Sequence, residues 1–319
     1  MKLAIVIPCF NEESSLLPSF EIIKAKLEYL VHSKKIDRLS KIVFVDDGSN
    51  DDTWKVMEQI CSNSNSALAY KLSRNFGQQA ALLAGLEKVA NYFDSILTMD
   101  IDLQDDIEII ENMISQYQLG NEIIYGVRSD RENDSFLKRN TAQLFYKTMS
   151  IFGAKTIYNH SDYRMISNRA LLYLLEYKEV NLFLRGVFPL IGLQYTTVSY
   201  KRKKREHGTS KYPLRKMISF AINGITSFSI APLRLATFLG IMSFSITLLL
   251  TFWAFYSQLT GNVIKGWSST VISIYFLGSI QLICIGILGE YIGKIYMEVK
   301  KRPRYIIETN TLNTEDIKN

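Results

Sequence analysis

The chain has 319 residues, 47% of them hydrophobic and 21% charged, which provides for a large folded unit with an appendage and argues against disorder. Its formal net charge of +6 calls for an anionic partner: a nucleic acid, a membrane surface or a phosphorylated substrate. The three cysteines, Cys9, Cys61 and Cys284, stand far apart with no CxxC pair, which argues against a disulfide framework or a zinc site.

The N-terminal apolar run is too short for a signal peptide and stops at Pro8 and two acidic residues, so the soluble part is expected in the cytoplasm. Leu3 to Ile7 reads as a strand, and Leu16, Phe20, Ile23, Leu27 and Leu30 follow at helical spacing. Lys41 to Val45 is a second strand that ends in Asp46-Asp47-Gly48-Ser49, with a helix from about Asp52 to Cys61. Ala69 to Leu72, then Gly77 to Ala90, then Ser95 to Met99 continue the alternation. Strands alternating with helices predict an α/β fold with a mostly parallel sheet that binds its ligand beyond the strands' carboxyl ends. The GxGxxG and GxxxxGK[ST] loops are absent, so neither a dinucleotide-dependent dehydrogenase nor an ATPase is supported.

Composition changes near residue 230. Two apolar runs, about 235–256 and 271–292, are each close to the ~20 residues that cross a bilayer core. The short connector predicts a hairpin. Arg215, Lys216 and Arg234 flank it on one side and Lys294, Lys300, Lys301, Arg302 and Arg304 on the other, which places both flanks in the cytoplasm. Gly278, Gly286, Gly289 and Gly293 would allow close helix packing, within the chain or between chains. Segments around Phe145 to Phe152 and Leu214 to Ile225 have the amphipathic spacing of helices lying in a headgroup layer. The expected organisation is a catalytic domain over 1–212, an interface helix over 213–232, the hairpin over 233–295 and a basic tail over 296–319, fraying after about Glu308.

The chemistry concentrates in Met99-Asp100-Ile101-Asp102-Leu103-Gln104-Asp105-Asp106. Asp100 and Asp102, two residues apart past a buried strand, point the same way in extended chain. Hard cations such as Mg²⁺ or Mn²⁺ take one or two carboxylates together with substrate phosphates. Asp105 and Asp106 read instead as caps of the next helix. Asp46 can accept hydrogen bonds from a base or ribose, and for Asp47 or Ser49 the alternative is a turn or helix-cap role alone. Lys201 to Arg205 is a basic run without a stacking platform, which disfavours nucleic acid and suits anionic lipid.

The segments IPCFNEE, VDDGSNDDT, LSRNFGQQAALLAGL, MDIDLQD, GVRSDR, SDYRMIS and LGEYIGKIYMEVKKRPRYII together resemble the family 2 glycosyltransferases of GT-A fold. The likeness is greatest to the bactoprenol (undecaprenyl-phosphate) glucosyltransferases of O-antigen modification, relatives of the dolichol-phosphate mannose synthases. It implies inverting transfer of a hexose, glucose from UDP-glucose first of all, onto a polyprenyl phosphate at the bacterial inner membrane by a homotetramer. N-acetylhexosamine, mannose and aminoarabinose donors stay open. A processive polysaccharide synthase is disfavoured because no further apolar run or QxxRW motif is present.

By motif, the resemblance implies that Pro8, Asn11, Glu12, Asp46 and Asp47 hold the nucleotide-sugar with Asp100 and Arg128. Asp100, Asp102 and Gln104 would surround Mg²⁺ or Mn²⁺. Arg139, Arg205, Ser210 and Lys211 would meet the acceptor phosphate, with Asp100, Arg128 and Arg205 also catalytic. Asp162 is implied as a base or orienting carboxylate; an ion pair with Arg164 is an equal reading, since a phosphate monoester needs little deprotonation. Relatives often carry Pro where Asp106 stands, which implies a modest local change.

Overall fold

A computed structural model describes residues 1–129, 160–180, 184–201, 231–260 and 266–311. The chain divides into two compact units, one built on a sheet and one on a helix pair.

In the first unit, strand β1 (Leu3–Cys9) leads to helix α1 (Leu16–His32), β2 (Lys41–Asp46) to α2 (Thr53–Asn63), and β3 (Ala67–Leu72) to α3 (Gln78–Val89). Then come β4 (Ser95–Thr98), a 3₁₀ turn (Ile107–Ile109), α4 (Ile110–Gln118) and β5 (Ile123–Arg128). After β6 (His160–Ser167) follow α5 (Asn168–Leu175), a short α6 (Leu184–Val187), a second 3₁₀ turn (Phe188–Ile191) and β7 (Tyr195–Tyr200).

The strands order as β7-β5-β6-β4-β1-β2-β3-β8, where β8 is Ile307–Asn310. The pairs among β4, β1, β2 and β3 are parallel, as the alternation predicts, and β5 pairs with β7 in parallel. β6 runs antiparallel between β4 and β5, and β8 antiparallel to β3. Residues Leu3 to Ile7 of β1 are buried throughout, because helices cover both faces of a central parallel strand.

Helix α3 lies close on the sheet because Gly85 has no Cβ; one there would stand 2.5 Å from Val6 Cγ1 and 2.9 Å from Val45 Cγ2. That close approach brings Gln78 and Gln79, at the start of α3, to the carboxyl ends of the central strands.

Fraying expected after about Glu308 is not found as far as Thr311, and residues 312–319 lie outside the described residues. Ile307, Thr309 and Asn310 pair with Leu72, Lys71 and Tyr70, and the Thr311 amide donates to Ala69 O at 3.0 Å. Edge strand β3 presents unpaired backbone groups, and pairing them outweighs the polarity of the tail side chains.

The second unit contains α7 (Ala231–Leu259) and α8 (Trp267–Val299), which touch each other. They contain two stretches long and apolar enough to cross a membrane, Pro232–Leu250 and Ser273–Val299, and side chains such as Phe238, Leu249, Leu282 and Ile292 are exposed. The helix contact runs through small residues of α7: Ala236 and Ser243 are buried, and the Cys284 thiol donates to Ala236 O at 3.6 Å. The glycines of α8 do not serve it. A Cβ on Gly278, Gly286, Gly289 or Gly293 would meet nothing within 4 Å, so within the described residues the close packing expected of them is not found.

Candidate active site

The β1–α1 and β2–α2 loops are latched to each other. The Asn11 amide donates to Ser49 Oγ at 2.9 Å, the Asn50 amide to Asn11 Oδ1 at 2.9 Å and the Glu12 amide to Thr53 Oγ1 at 2.8 Å. Asn11 adopts φ of 55°, a left-handed conformation that asparagine tolerates. The Glu12 carboxylate accepts from Ser15 Oγ at 2.5 Å. Pro8, one residue before the end of β1, lies beside Val45, so these loops share one layer.

Asp46, the last residue of β2, is fully buried. Its Oδ1 accepts from the Ser49 amide at 3.0 Å and from Ser49 Oγ at 2.5 Å, while Oδ2 has no hydrogen-bond partner among the described residues. Burial pushes its carboxyl above the usual range, and the Ser49 bonds pull it partly back. Asp47 turns to the loop before α3, where its two oxygens accept from the amides of Phe76 at 2.7 Å and Gly77 at 2.9 Å. Gly48 is required between them: at φ of +66° its missing Cβ would lie 2.3 Å from the Arg74 carbonyl carbon.

Asp100 follows β4. Its Oδ1 accepts from Gln78 Nε2 at 2.8 Å. Its carboxyl is pushed up to about 7 by burial first, then by Asp162, Asp105 and Asp102, with Arg185 acting in the opposite sense. Asp102 is half-buried and accepts from the Gln104 amide at 3.3 Å. Gln104 itself is buried. Asp106 caps the 3₁₀ turn as expected, accepting from the Glu108 amide at 3.1 Å. Asp105 departs from expectation: it is buried and accepts from Tyr200 Oη at 2.5 Å, drawn inward by a hydroxyl from β7. Burial and then Asp105 push the Tyr200 phenol up to about 12. Arg128 Nε donates to the same Tyr200 oxygen at 3.4 Å, so Arg128 and Asp105 are joined through one phenol.

Asp162 reaches the site because β6 is antiparallel to β4. Thr98 pairs with Arg164, so the register carried two residues further sets Asp162 beside Asp100. Asp162 is buried, and its Oδ1 accepts from Arg164 Nη2 at 2.6 Å and Arg185 Nε at 3.0 Å. Its Oδ2 accepts from Arg185 Nη2 at 2.8 Å and Gln79 Nε2 at 3.4 Å. Arg164 is fully buried, with its guanidinium 4.5 Å from the centre of the Phe188 ring. The ion pair with Arg164 was legible as one of two readings; Arg185, Gln78, Gln79 and Tyr200 were not assigned. The two glutamines lie in a segment already singled out for resemblance. For Arg185 the available signal was a lone arginine within an apolar stretch, Leu182-Phe183-Leu184-Arg185-Gly186-Val187.

Arg139, Arg205, Ser210 and Lys211 lie outside the described residues, as do the two amphipathic segments.

The donor set suits a metal shared with a ligand. Among the described residues no group of three or more His, Cys, Asp or Glu side chains gathers to hold an ion. A hard divalent cation bound through one or two carboxylates and a diphosphate needs no such group. The like charges crowded around Asp100 are the setting in which a cation relieves repulsion.

Comparison with known proteins gives two family matches: Glycosyl transferase family 2 over residues 4–174, and the GtrB C-terminal hairpin over residues 231–295. The uncharacterized glycosyltransferase YkoT of Bacillus subtilis (strain 168) is 47% identical over 98% of this chain and 93% of its own. The SfII prophage-derived bactoprenol glucosyl transferase of Shigella flexneri is 38% identical over 97% of this chain and 98% of its own. The prophage bactoprenol glucosyl transferase homolog of Escherichia coli (strain K12) is 38% identical over 97% of this chain and 99% of its own.

Proposed function

The chain belongs to glycosyl transferase family 2 and is a glycosyltransferase, and on that premise we propose that it moves a hexose from a nucleotide-sugar onto a polyprenyl phosphate. The observation that carries the reading is the juxtaposition of Asp100 with the Asp162–Arg185 pair: carboxylates that can share a cation with a diphosphate, beside a guanidinium that can face a phosphate. Glucose from UDP-glucose and undecaprenyl phosphate are the favoured pair, supported by relatives named bactoprenol glucosyl transferase. The two exposed apolar helices support membrane association. The finer reading is a bacterial inner membrane with the sheet unit in the cytoplasm, a homotetramer, and a lipid-linked sugar destined for O-antigen or another surface glycan.

In this reading the unpartnered Asp46 Oδ2 accepts from the base or ribose, in the layer that Pro8, Asn11 and Glu12 complete. Asp100 and Asp102, with Gln104 behind them, would hold Mg²⁺ or Mn²⁺, which when bound neutralises charge on the departing nucleotide diphosphate. Gln78 orients Asp100. Arg128, steadied by Tyr200, faces donor phosphate. Arg139, Arg205, Ser210 and Lys211 are assigned to the acceptor phosphate by motif. The acceptor is already ionised near pH 7, so one of its oxygens attacks the anomeric carbon as the bond to the nucleotide diphosphate breaks, inverting the centre. The work left to the protein is positioning and charge stabilisation.

The test is a panel of nucleotide-sugars given to membranes containing the chain, with undecaprenyl phosphate and Mg²⁺ or Mn²⁺ and mass measurement of the lipid product. A monoglucosylated lipid is expected. No lipid-linked sugar above the level of an Asp102→Ala control removes the reading, and a polymer product replaces it.

A further inference from the structure

We propose that Asp162 acts through Arg185: the carboxylate clamps the guanidinium so that Arg185 binds a phosphate of the reacting pair. This assignment rests on the function proposed above and goes beyond it by naming a phosphate ligand and removing a base.

An ionised carboxylate offers about four lone-pair positions. Among the described residues Asp162 receives N–H contacts from Arg164 at 2.6 Å, from Arg185 at 3.0 and 2.8 Å and from Gln79 at 3.4 Å. With its oxygens directed at protein donors, this carboxylate is poorly placed to receive a proton from substrate.

Exposure rises outward along the cluster. The side chains of Arg164 and Asp162 are 0% and 5% exposed, whereas that of Arg185 is 32% exposed. Arg164 closes the cluster from behind against Phe188, and Arg185 is its outward member.

The Arg185 charge acts on both Asp100 and Arg128, which puts the three in one electrostatic neighbourhood. Its seat is fixed twice over. Two parallel N–H bonds to Asp162 set the guanidinium plane, and Gln79 Oε1 accepts from the Leu184 amide at 3.3 Å, tying the α6 turn to the start of α3. A guanidinium with a fixed plane suits bidentate recognition of phosphate.

The ligand is either the donor diphosphate or the acceptor monophosphate. Both present the same chemistry, and kinetics separate them. Full-length Arg185→Ala, Arg185→Lys, Asp162→Asn and the Arg185→Ala/Asp162→Ala double variant are compared in membranes with UDP-glucose and undecaprenyl phosphate. Loss of a charge-assisted phosphate contact predicts a fall in kcat/KM of roughly 10- to 100-fold for Arg185→Ala. A raised KM for UDP-glucose identifies the donor diphosphate, and a raised KM for undecaprenyl phosphate identifies the acceptor.

Guanidinium chloride at tens of millimolar is expected to restore Arg185→Ala at least tenfold, and not the double variant, which lacks the anchor. Asp162→Asn should retain more activity than Arg185→Ala. The assignment is overturned by near wild-type activity in Arg185→Ala, by no guanidinium rescue in a variant of unchanged Tm, or by an acid limb of the pH profile that vanishes in Asp162→Asn. If the wild type makes no product with any donor, the reading of function falls by itself. The clamp is then judged by calorimetry with inorganic pyrophosphate, where equal binding by wild type and Arg185→Ala overturns it.

Discussion

Arg304 Nη2 stands 2.6 Å from Glu87 Oε1, an ion pair between residues 217 positions apart. Arg304 also donates to Tyr177 O at 3.1 Å, and Tyr305 Oη donates to the other Glu87 oxygen. The chain that leaves the sheet unit for the apolar helices thus comes back to α3, the helix whose first residues touch Asp100 and Asp162.

This return is expected to contribute to stability. Both partners of the Arg304–Glu87 pair are less than a third exposed, and Glu87 also receives the Tyr305 phenol. Glu87→Ala should cost about 2 kcal/mol, the scale of losing charge-assisted hydrogen bonds. Differential scanning fluorimetry of detergent-solubilised protein reads this as a lowered Tm. Removal of residues 303–319, which also takes away β8, should lower it further. An unchanged Tm in both would mean that the tail contributes nothing.

Asp46 links pH to stability with a definite sign. Its folded carboxyl lies above the ordinary value because burial disfavours the charge. Protonation therefore favours the fold, and this group's contribution is lost as pH rises through the window above the unfolded value. Asp46→Asn should raise Tm at pH 7, with a smaller gain near pH 4. The same variant should raise KM for the donor at least tenfold, because the amide can present a donor where Oδ2 accepts. A pH-independent difference in Tm would contradict the assigned cause.

Asp100 and Asp102 predict metal dependence of donor binding. EDTA should abolish lipid glycosylation, and Mg²⁺ or Mn²⁺ should restore it. Calorimetry with UDP should show binding that strengthens with Mn²⁺ in the wild type. An Asp100→Asn/Asp102→Asn double variant should bind UDP equally with and without the ion. Equal activity with and without EDTA would exclude the two carboxylates as ligands.

Tyr200 joins Arg128, Asp105 and Ser161 through one oxygen, with Ser161 Oγ at 3.0 Å. Tyr200→Phe deprives the buried Asp105 carboxylate of a hydrogen bond, a change worth about 1–3 kcal/mol. It also loosens Arg128. A drop in Tm together with a raised donor KM is expected, and a fall in Tm alone would leave Arg128 independent of the phenol.

The amino-acid sequence by itself determined the alternating elements from Leu3 to Met99, the acidic tip at Asp100 and Asp102 and the two apolar runs, because these signals are local: periodicity, strand ends and runs of like residues. The tertiary structure decided that Asp162 comes beside Asp100, that Arg185 and Gln79 close on it, that Asp105 turns inward to Tyr200 and that the tail extends the sheet at β3. Those contacts join residues 23 to 242 positions apart on the described chain only after an antiparallel strand and an edge pairing have formed, and no spacing rule along the chain encodes them.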